Sequence, residues 1–486
     1  MSTPHRLTED LDPSRVIDAP IDLLTYQRDC SVVRPGHATA VVQIGSQEDV
    51  IAVMTRAARD AVPVYVRGGG TMYAGGVNPQ AGGIVLDMSG LDRILDLDLA
   101  RGVVVVEPGV RFGALAKALK PHGMTIGIIP VTGPAATIGG AASAHALGTG
   151  SARFQSFADE VVGLEVVLPG GDTVRTGSAA APQAGFFHRY GIGPDLTGLF
   201  LGGDASFGVV TKIALWLHRL PAFRKTHCYG FPSVAAAGAF ITAVQSEELT
   251  RNIWYGSGYE GGSVKARVMA ADPTTDPTTL PQFCVGLDFG GEEKLVRHDV
   301  QRIADLCAAQ RGEWYPRFNE IYFQRLRSTE IYWYGFAGYF SRSRCAILMS
   351  ALPTTNLDAF INAVQHQRNT QPQFVWGGAV VICRRGLHGG IMAFYDEETQ
   401  WAAAATVIAA ESLLAAGCVC PINPAKSGRR SCKRLPRTMR CSRGLKPRPI
   451  RRRFCRRAIW DSALNCRCEL WPAPTNIDLK LRRTIR

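Results

Sequence analysis

A short apolar run, Pro63-Val64-Tyr65-Val66, feeds directly into Arg67 and three successive glycines, Gly68-Gly69-Gly70, followed by Thr71-Met72-Tyr73-Ala74 and then Gly75-Gly76. No strand continues through such a stretch. Glycine opens backbone conformations closed to other residues, so this is a loop in which bare main chain comes close to something. Its N–H groups can converge as an anion-binding nest, with Arg67 as a cation at the mouth. It is not a Walker A loop, because no Gly-Lys-Ser/Thr follows. Nor is it the Rossmann fingerprint, which opens a helix. Taken by itself, the same run also suits a glycine hinge or hairpin.

The rest of the chain supplies the context. A length of 486 residues exceeds one ordinary core, which stops growing at roughly 250–300 residues, so two domains are expected. Ala40-Val41-Val42-Gln43-Ile44 reads as a strand. Ser46 and Asp49 form a capping box for a helix with Val50, Ile51, Met54, Ala57 and Ala58 on one face. Further strands are expected at 84–86, 103–106, 161–168 and 208–217, with a helix at 111–120 burying Phe112, Leu115, Ala118 and Leu119. After Pro221 the texture changes to aromatic clusters, helices at 297–310 and 356–368, and a strand over 344–352. The alternation of strands and short helices predicts an α+β or α/β domain up to about Pro221, and the chain as a whole is expected to be α+β. Its parts are a polar arm over 1–30, a first domain over 31–221, a second over 222–417, and a tail over 418–486.

The net charge of +13 belongs to that tail. Residues 421–486 hold 20 Lys+Arg against 3 Asp+Glu, which leaves 1–420 with 34 basic and 38 acidic residues. A mildly acidic body argues against nucleic acid as its partner. The tail reads as a disordered segment unable to bury a core, as a basic tail for nucleic acid or anionic lipid, or as translation out of frame after about residue 418. Eight of the 13 cysteines scatter from Cys30 to Cys420 without framework spacing, so free thiols in a reducing compartment are expected. Cys418-x-Cys420 and Cys466-x-Cys468 lack the partners of a zinc site, and no metal is expected. The first residues show no secretory h-region, and the Ala-rich stretch 401–420, interrupted by Glu411, reads as a packed helix rather than a membrane span. A cytoplasmic location is the resulting expectation.

Downstream of the glycine loop lie Pro130-Val131-Thr132-Gly133-Pro134-Ala135-Ala136-Thr137-Ile138-Gly139-Gly140, then Gly148-Thr149-Gly150-Ser151, Asp159-Glu160-Val161, and Gly202-Gly203-Asp204-Ala205-Ser206-Phe207-Gly208-Val209-Val210-Thr211. In this order and spacing they resemble the FAD-binding domain of the vanillyl-alcohol oxidase / p-cresol methylhydroxylase superfamily. The likeness is greatest to its FAD-linked oxidase branch, which includes D-lactate dehydrogenases and the glycolate oxidase D subunit. It covers about Val32 to Pro221, and more loosely the second domain. The resemblance implies a two-subdomain FAD cradle followed by an α+β cap domain over the substrate. Carried over residue by residue, it assigns Gly68, Gly69, Gly70, Thr71 and Gly75 to the pyrophosphate, with Arg67 at the loop entrance a further cofactor-binding candidate. Thr132, Gly133, Thr137, Gly139, Gly140 and Ser151 would line the cofactor further along, and Val209 and Val210 would touch it with main-chain groups.

Departures from the pattern carry information. Many relatives place a flavin-linked His where Thr71 stands, and threonine cannot make that bond. Ile129 occupies the region where other relatives carry a linking Cys. Non-covalent FAD is therefore expected. The hydroxy-acid branch often carries a Gly-Asp-Gly-Asn-x-His motif in the cap, whereas this chain reads Arg384-Arg385-Gly386-Leu387-His388-Gly389-Gly390. His388 remains a candidate base with an ordinary pKa near ~6.5, or else a histidine satisfying a turn. Tyr332, Tyr334 and Tyr339 fall in a dense aromatic stretch and either face the substrate or pack the core. Arg385 is a weaker candidate carboxylate clamp. Asn423-Pro424-Ala425-Lys426 resembles a signature near many family C-termini.

The expected activity is an oxidoreductase that takes a hydride from a small alcohol or hydroxy acid, a small-molecule substrate, onto FAD. Oxygen, a quinone or a protein then reoxidises the cofactor, and the oligomeric state stays open. The alternatives are other chemistry on the same cradle, with a phenol, sugar or enolpyruvyl substrate, or an inactive paralogue with a nucleic-acid-binding tail.

Overall fold

The computed structural model describes residues 8–9, 11–130, 132–181, 183–191, 193–320 and 344–395. The chain divides between Ser427 and Gly428. The tail, the 401–420 stretch, Asn423-Pro424, both close cysteine pairs, and Tyr332, Tyr334 and Tyr339 lie outside the described residues.

The chain begins with a four-stranded sheet in the order β1-β2-β4-β3. Its strands are β1 (Val16–Ile17), β2 (Ala40–Gln43), β3 (Val64–Arg67) and β4 (Ile84–Asp87). Strand β4 runs parallel between β2 and β3 and is buried at all four positions, as a continuous apolar run in a parallel sheet requires. Helix α1 (Gln47–Arg59) crosses over the sheet. Its capping box is present: Asp49 N–H donates to Ser46 Oγ at 3.1 Å, and Ser46 N–H donates to Asp49 Oδ2 at 3.0 Å. The buried face is Val50, Val53, Met54 and Ala57. Ala58, expected on it, is exposed, because Val53 rather than Ile51 or Ala58 points at the sheet.

The described residues from Val16 to Cys30 are not a free arm. Val16 and Ile17 pair antiparallel with Val42 and Val41, extending the sheet by one strand. Residues 26–34 then run along the glycine loop, where a set of hydrogen bonds holds them.

The second subdomain carries a six-stranded sheet with the path β11-β10-β12-β6-β5 and β7 paired to β12. The ranges are β5 (Ile94–Asp98), β6 (Val103–Val106), β7 (Met124–Ile126), β10 (Val161–Val167), β11 (Thr173–Arg175) and β12 (Val209–Arg219). A small pair, β8 (Ile129–Pro130) with β9 (Gly148–Thr149), sits apart. Helix α2 (Phe112–Leu119) buries Phe112, Leu115 and Leu119, while Ala118 is only half-buried. Short helices α3 (Ile138–Ser143) and α4 (Ser151–Phe154) complete the layer.

Strand β10 is buried throughout, Glu165 included. Its carboxylate takes a hydrogen bond from Arg175 Nε at 2.7 Å and an ion pair from Lys212 Nζ at 2.8 Å, from the two strands that flank it. Burial works against the charge, but Lys212 and Arg175 outweigh it and hold the carboxyl below its ordinary range.

The chain leaves β12 at Arg219 and enters the third layer at β13 (Phe223–Phe231). A seven-stranded antiparallel sheet follows in the order β16-β13-β15-β14-β18-β19-β17. Its other strands are β14 (Ile253–Glu260), β15 (Phe283–Gly291), β16 (Glu313–Trp314), β17 (Arg344–Leu352), β18 (Val375–Ile382) and β19 (Leu387–Tyr395). Helices α5 (Val234–Ser246), α7 (Glu293–Ala309) and α8 (Leu357–Thr370) cover one face through Phe240, Ile303 and Phe360, packed on Phe231, Leu287 and Ile391. Helix α6 (Gly261–Ala271) covers part of the other face with Val264 and Val268 against Tyr255 and Tyr259. Cys228 and Cys284 are buried there, and burial pushes both thiols up. Among the described residues no helix is long and apolar enough to cross a membrane.

The Glu165 cluster gives a pH test. Its folded-state pKa lies below the unfolded value, so its contribution to stability is complete at neutral pH and fades as pH falls through the depressed value. Glu165→Gln is expected to lower the urea midpoint at pH 7 and to flatten the loss of stability on acidification. An acid limb identical to wild type would show that the cluster has no part in it.

Candidate functional site

The glycine loop leaves β3 at Arg67 and is gripped from two sides. On one side stand Ala135 and Thr137, just ahead of α3. A side chain on Gly68 would run into Thr137 Oγ1, and one on Gly69 into the Ala135 carbonyl. Thr137 is fixed by its own duty as the N-cap of α3, where Oγ1 accepts Gly140 N–H at 3.2 Å. On the other side lies the 26–34 segment. Gly70 and Gly75 have φ of +64° and +77°, values that side chains rarely tolerate.

Held this way, the loop keeps its donors unspent. Among the described residues, no acceptor meets the N–H groups of Gly68, Gly69, Gly70 or Thr71. Gly69 is exposed and Gly68, Gly70 and Thr71 are half-buried, so a successive run of donors is open to an incoming group, the arrangement of an anion nest. The residues present therefore fit a pyrophosphate: small, close-packed behind, and rich in free donors in front.

Arg67 is not placed as a cation at the mouth. Its guanidinium donates to the Arg28 carbonyl at 3.0 Å and lies over the Tyr26 ring at 5.6 Å. It also backs Gly70, where any side chain would strike it. Arg67 thus props the loop from behind.

The other predicted residues fall around this cradle in distinct ways. The Thr132 carbonyl closes a turn by accepting Ala135 and Ala136 N–H at 2.9 and 2.8 Å, while Gly133 N–H donates to Pro130 O at 2.8 Å. Gly139 N–H donates to Pro108 O at 2.8 Å, and its α-carbon packs on that proline, so it offers close approach rather than a donor. Val209 and Val210 bury their side chains and pair with Val167 and Val166 of β10. Pairing of β12 with β6 starts only at Ile213, which leaves their main chain without a strand on that side. Asp204, at φ +46° beside Ala205 at +59°, packs against Gly76 and brings this stretch to the glycine loop.

Ser151 is fully buried at the seam with the third layer. Its Oγ accepts Gly148 N–H at 3.0 Å and its carbonyl accepts Arg384 N–H at 3.0 Å. Next to it the Gln155 amide clasps the Arg385 backbone, accepting its N–H at 3.0 Å and donating to its carbonyl at 3.3 Å.

His388 lies in the middle of β19, level with Ala351 of β17 and Val381 of β18, and not in a turn. Its neighbours Leu387 and Gly389 face the helices, so its ring faces the opposite side of the sheet. On that side Ile347, Met349, Ala379 and Met392 pack around Tyr73 of the glycine loop. The loop and His388 thus belong to one interlayer surface. Burial pushes the imidazole pKa down to about 4, well below the ordinary value expected from the sequence, so the ring is neutral at pH 7. No described residue hydrogen-bonds it. Tyr332 and Tyr334 lie outside the described residues. Sequence reasoning missed Tyr73 as the contact to the third layer, and it missed the 26–34 segment, whose polar composition looks like an unstructured arm.

Gly69→Ala is expected to weaken FAD binding by at least about tenfold, because the new methyl must push the loop off Ala135. Flavin fluorescence titration reads it directly, and wild-type affinity would show that the two loops need not touch.

Comparison with known proteins agrees with this geometry. Residues 38–177 match a family described as an FAD binding domain. The chain is 33% identical over 208 residues to the mitochondrial D-lactate dehydrogenase [cytochrome] of Arabidopsis thaliana, covering 42% of this chain and 35% of that one. It is 28% identical over 240 residues to glycolate oxidase subunit GlcD of Bacillus subtilis, covering 49% of this chain and 50% of the relative. The matches thus span half or less of these relatives' own length. Among solved structures, substrate-bound p-cresol methylhydroxylase superposes with a TM-score of 0.71 at 17% identity, over 85% of this chain and 87% of that one. Alkyldihydroxyacetonephosphate synthase gives 0.65 at 16% identity, over 85% and 79%. These two likenesses speak to the fold alone.

Proposed function

We propose that this chain, whose residues 38–177 match an FAD binding domain family, is an FAD-dependent oxidoreductase acting on the CH–OH group of a small molecule. The observation that carries this reading is the run of unspent N–H groups from Gly68 to Thr71, in a loop whose Tyr73 reaches the His388 face of the third layer. FAD, when bound, supplies the hydride acceptor and passes the electrons on to oxygen, a quinone or a protein. The protein's share is to seat the cofactor, orient the alcohol and take its proton.

The seating falls to the glycine loop, the Thr132–Gly140 turn and the open edge at Val209 and Val210. Proton acceptance falls to His388, whose neutral ring has a free nitrogen to receive the hydroxyl proton. Attachment is non-covalent, since Thr71 offers no imidazole. The hydrogen bonds at Ser151 and Gln155 join the third layer to the cradle.

The relatives' names point to D-lactate and glycolate. The surface around Tyr73 favours a second reading. Ile347, Met349, Ala379 and Met392 present apolar groups there, which suit a substrate with an apolar body, such as the phenols named for two structural neighbours, p-cresol methylhydroxylase and 4-ethylphenol oxidase. Anaerobic bleaching of the flavin by glycolate and D-lactate, set against 4-alkylphenols and benzyl alcohols, separates the two.

The purified protein should be yellow and release its flavin on acid precipitation. Flavin retained in the pellet would refute the non-covalent assignment, and a colourless protein that takes up no FAD would refute the whole reading. His388→Gln should slow flavin reduction by roughly 10²–10⁴-fold with FAD affinity unchanged. In the wild type the reduction rate should be flat from neutral pH downward and fall off below about pH 4, where the imidazole takes up a proton before the substrate can give one. A wild-type rate in the variant would remove His388 from the chemistry.

A further inference from the structure

The 26–34 segment does more than pass by. The Arg28 carbonyl accepts from Arg67 at 3.0 Å, and Cys30 N–H donates to the Met72 carbonyl at 3.0 Å. Between them Asp29 is buried, with 4% of its surface exposed, and uses both carboxylate oxygens: Oδ2 accepts Gly75 N–H at 2.8 Å and Oδ1 accepts Ser31 N–H at 2.9 Å. Its own N–H donates to Asn78 Oδ1 at 2.8 Å, and Asn78 in turn donates to the Val33 and Arg34 carbonyls at 3.4 and 3.3 Å. Val33 closes the far side of Gly75. The loop is therefore tied at Arg67, Met72 and Gly75, while the stretch between, Gly68 to Thr71, keeps its donors free.

We propose that Asp29 is a positioning residue for the cofactor: by holding Gly75 in its left-handed conformation, it presets the glycine loop in the shape that receives the FAD pyrophosphate. The inference rests on the FAD reading above. Its physical content is preorganisation. A loop already in the binding shape pays no ordering cost when the anion arrives, and a loop populating that shape only in part binds more weakly by that fraction. A carboxylate this near an anion site would otherwise oppose binding by its charge. The opposing expectation is therefore sharp, because neutralising Asp29 tightens FAD if charge dominates and weakens it if geometry does.

Asp29→Asn keeps the shape but replaces one acceptor with an N–H donor, which meets either Gly75 N–H or Ser31 N–H head-on. In the full-length apoprotein titrated with FAD, the dissociation constant is expected to rise roughly 10- to 100-fold, with the apoprotein still folded and unfolding in one cooperative transition. The pH profile adds a readout that a purely structural role would not move. Burial raises the Asp29 pKa against the hydrogen bonds from Ser31 and Gly75 and the charge of Arg67. Around it, Ser31, Gly75 and Asn78 contribute neutral donors or acceptors, and Tyr26 under Arg67 is pushed up to about 12 and stays uncharged. Wild-type FAD affinity should weaken as pH falls through that raised value, because the protonated carboxyl loses an acceptor, whereas Asp29→Asn should show no such step. If Asp29→Asn does not fold, Asp29→Glu, which keeps the charge on a longer arm, is expected to weaken FAD while melting like wild type. Unchanged or tighter FAD binding in the folded variant overturns the proposal. Wild-type protein that binds no FAD overturns the functional reading first, and this inference with it.

Discussion

Four successive backbone N–H groups, Gly68 to Thr71, that meet no acceptor among the described residues define what this molecule is built around. A free loop samples local turns that take up such donors. Here two supports prevent that. The Thr137-capped start of α3 occupies the space behind Gly68 and Gly69, and the 26–34 segment ties the loop at Arg67, Met72 and Gly75. Most of the first two layers serves those supports. The parallel β2–β4–β3 core ends at Arg67, where the loop begins, and β12, held by β10 and β6, starts at Val209 just after the Asp204–Gly208 turn.

The third layer meets this cradle at two kinds of contact. At the seam the contact is polar and specific, backbone to backbone at Ser151–Arg384 and side chain to backbone at Gln155–Arg385. Around Tyr73 it is apolar and general. Polar seams fix register, while apolar surfaces tolerate exchange of side chains with little change in the fold. That division suits the FAD reading proposed above, in which cofactor geometry is fixed while the substrate surface varies.

Much of this was legible in the sequence, and the reasons are local. The Ser46/Asp49 box, the all-valine strand 103–106 and the strand 344–352 each follow from short-range pattern, and the structure places them there. The glycine loop was legible because its conformational demand is written in the residue types themselves. Three features were not. Arg67 looks like a phosphate cation, but burial against Tyr26 and the Arg28 carbonyl turns it the other way. His388 is buried where the β18–β19 hairpin pairs with the more distant β17, so neither its burial nor its lowered pKa has a sequence signal. Residues 26–34 look like a solvated arm because their work is done through backbone atoms and short polar side chains, for which hydrophobic periodicity carries no information.

The strand order of the third layer has a consequence for how the chain is made. Strands β13, β15 and β14 lie within about seventy residues of one another and can pair as soon as they are synthesised, but β14 finds its second neighbour, β18, only through the register Ser257–Val381. Until residues 375–382 emerge, β14 presents a full row of backbone groups along an open edge, the feature that natural sheets cover or charge to avoid pairing with other chains. Contacts this distant in sequence also form slowly. The nascent chain therefore passes through a stage in which the cofactor cradle is complete while the layer above it still has an uncovered edge, and β18 and β19 determine whether that stage resolves into one molecule or into aggregates.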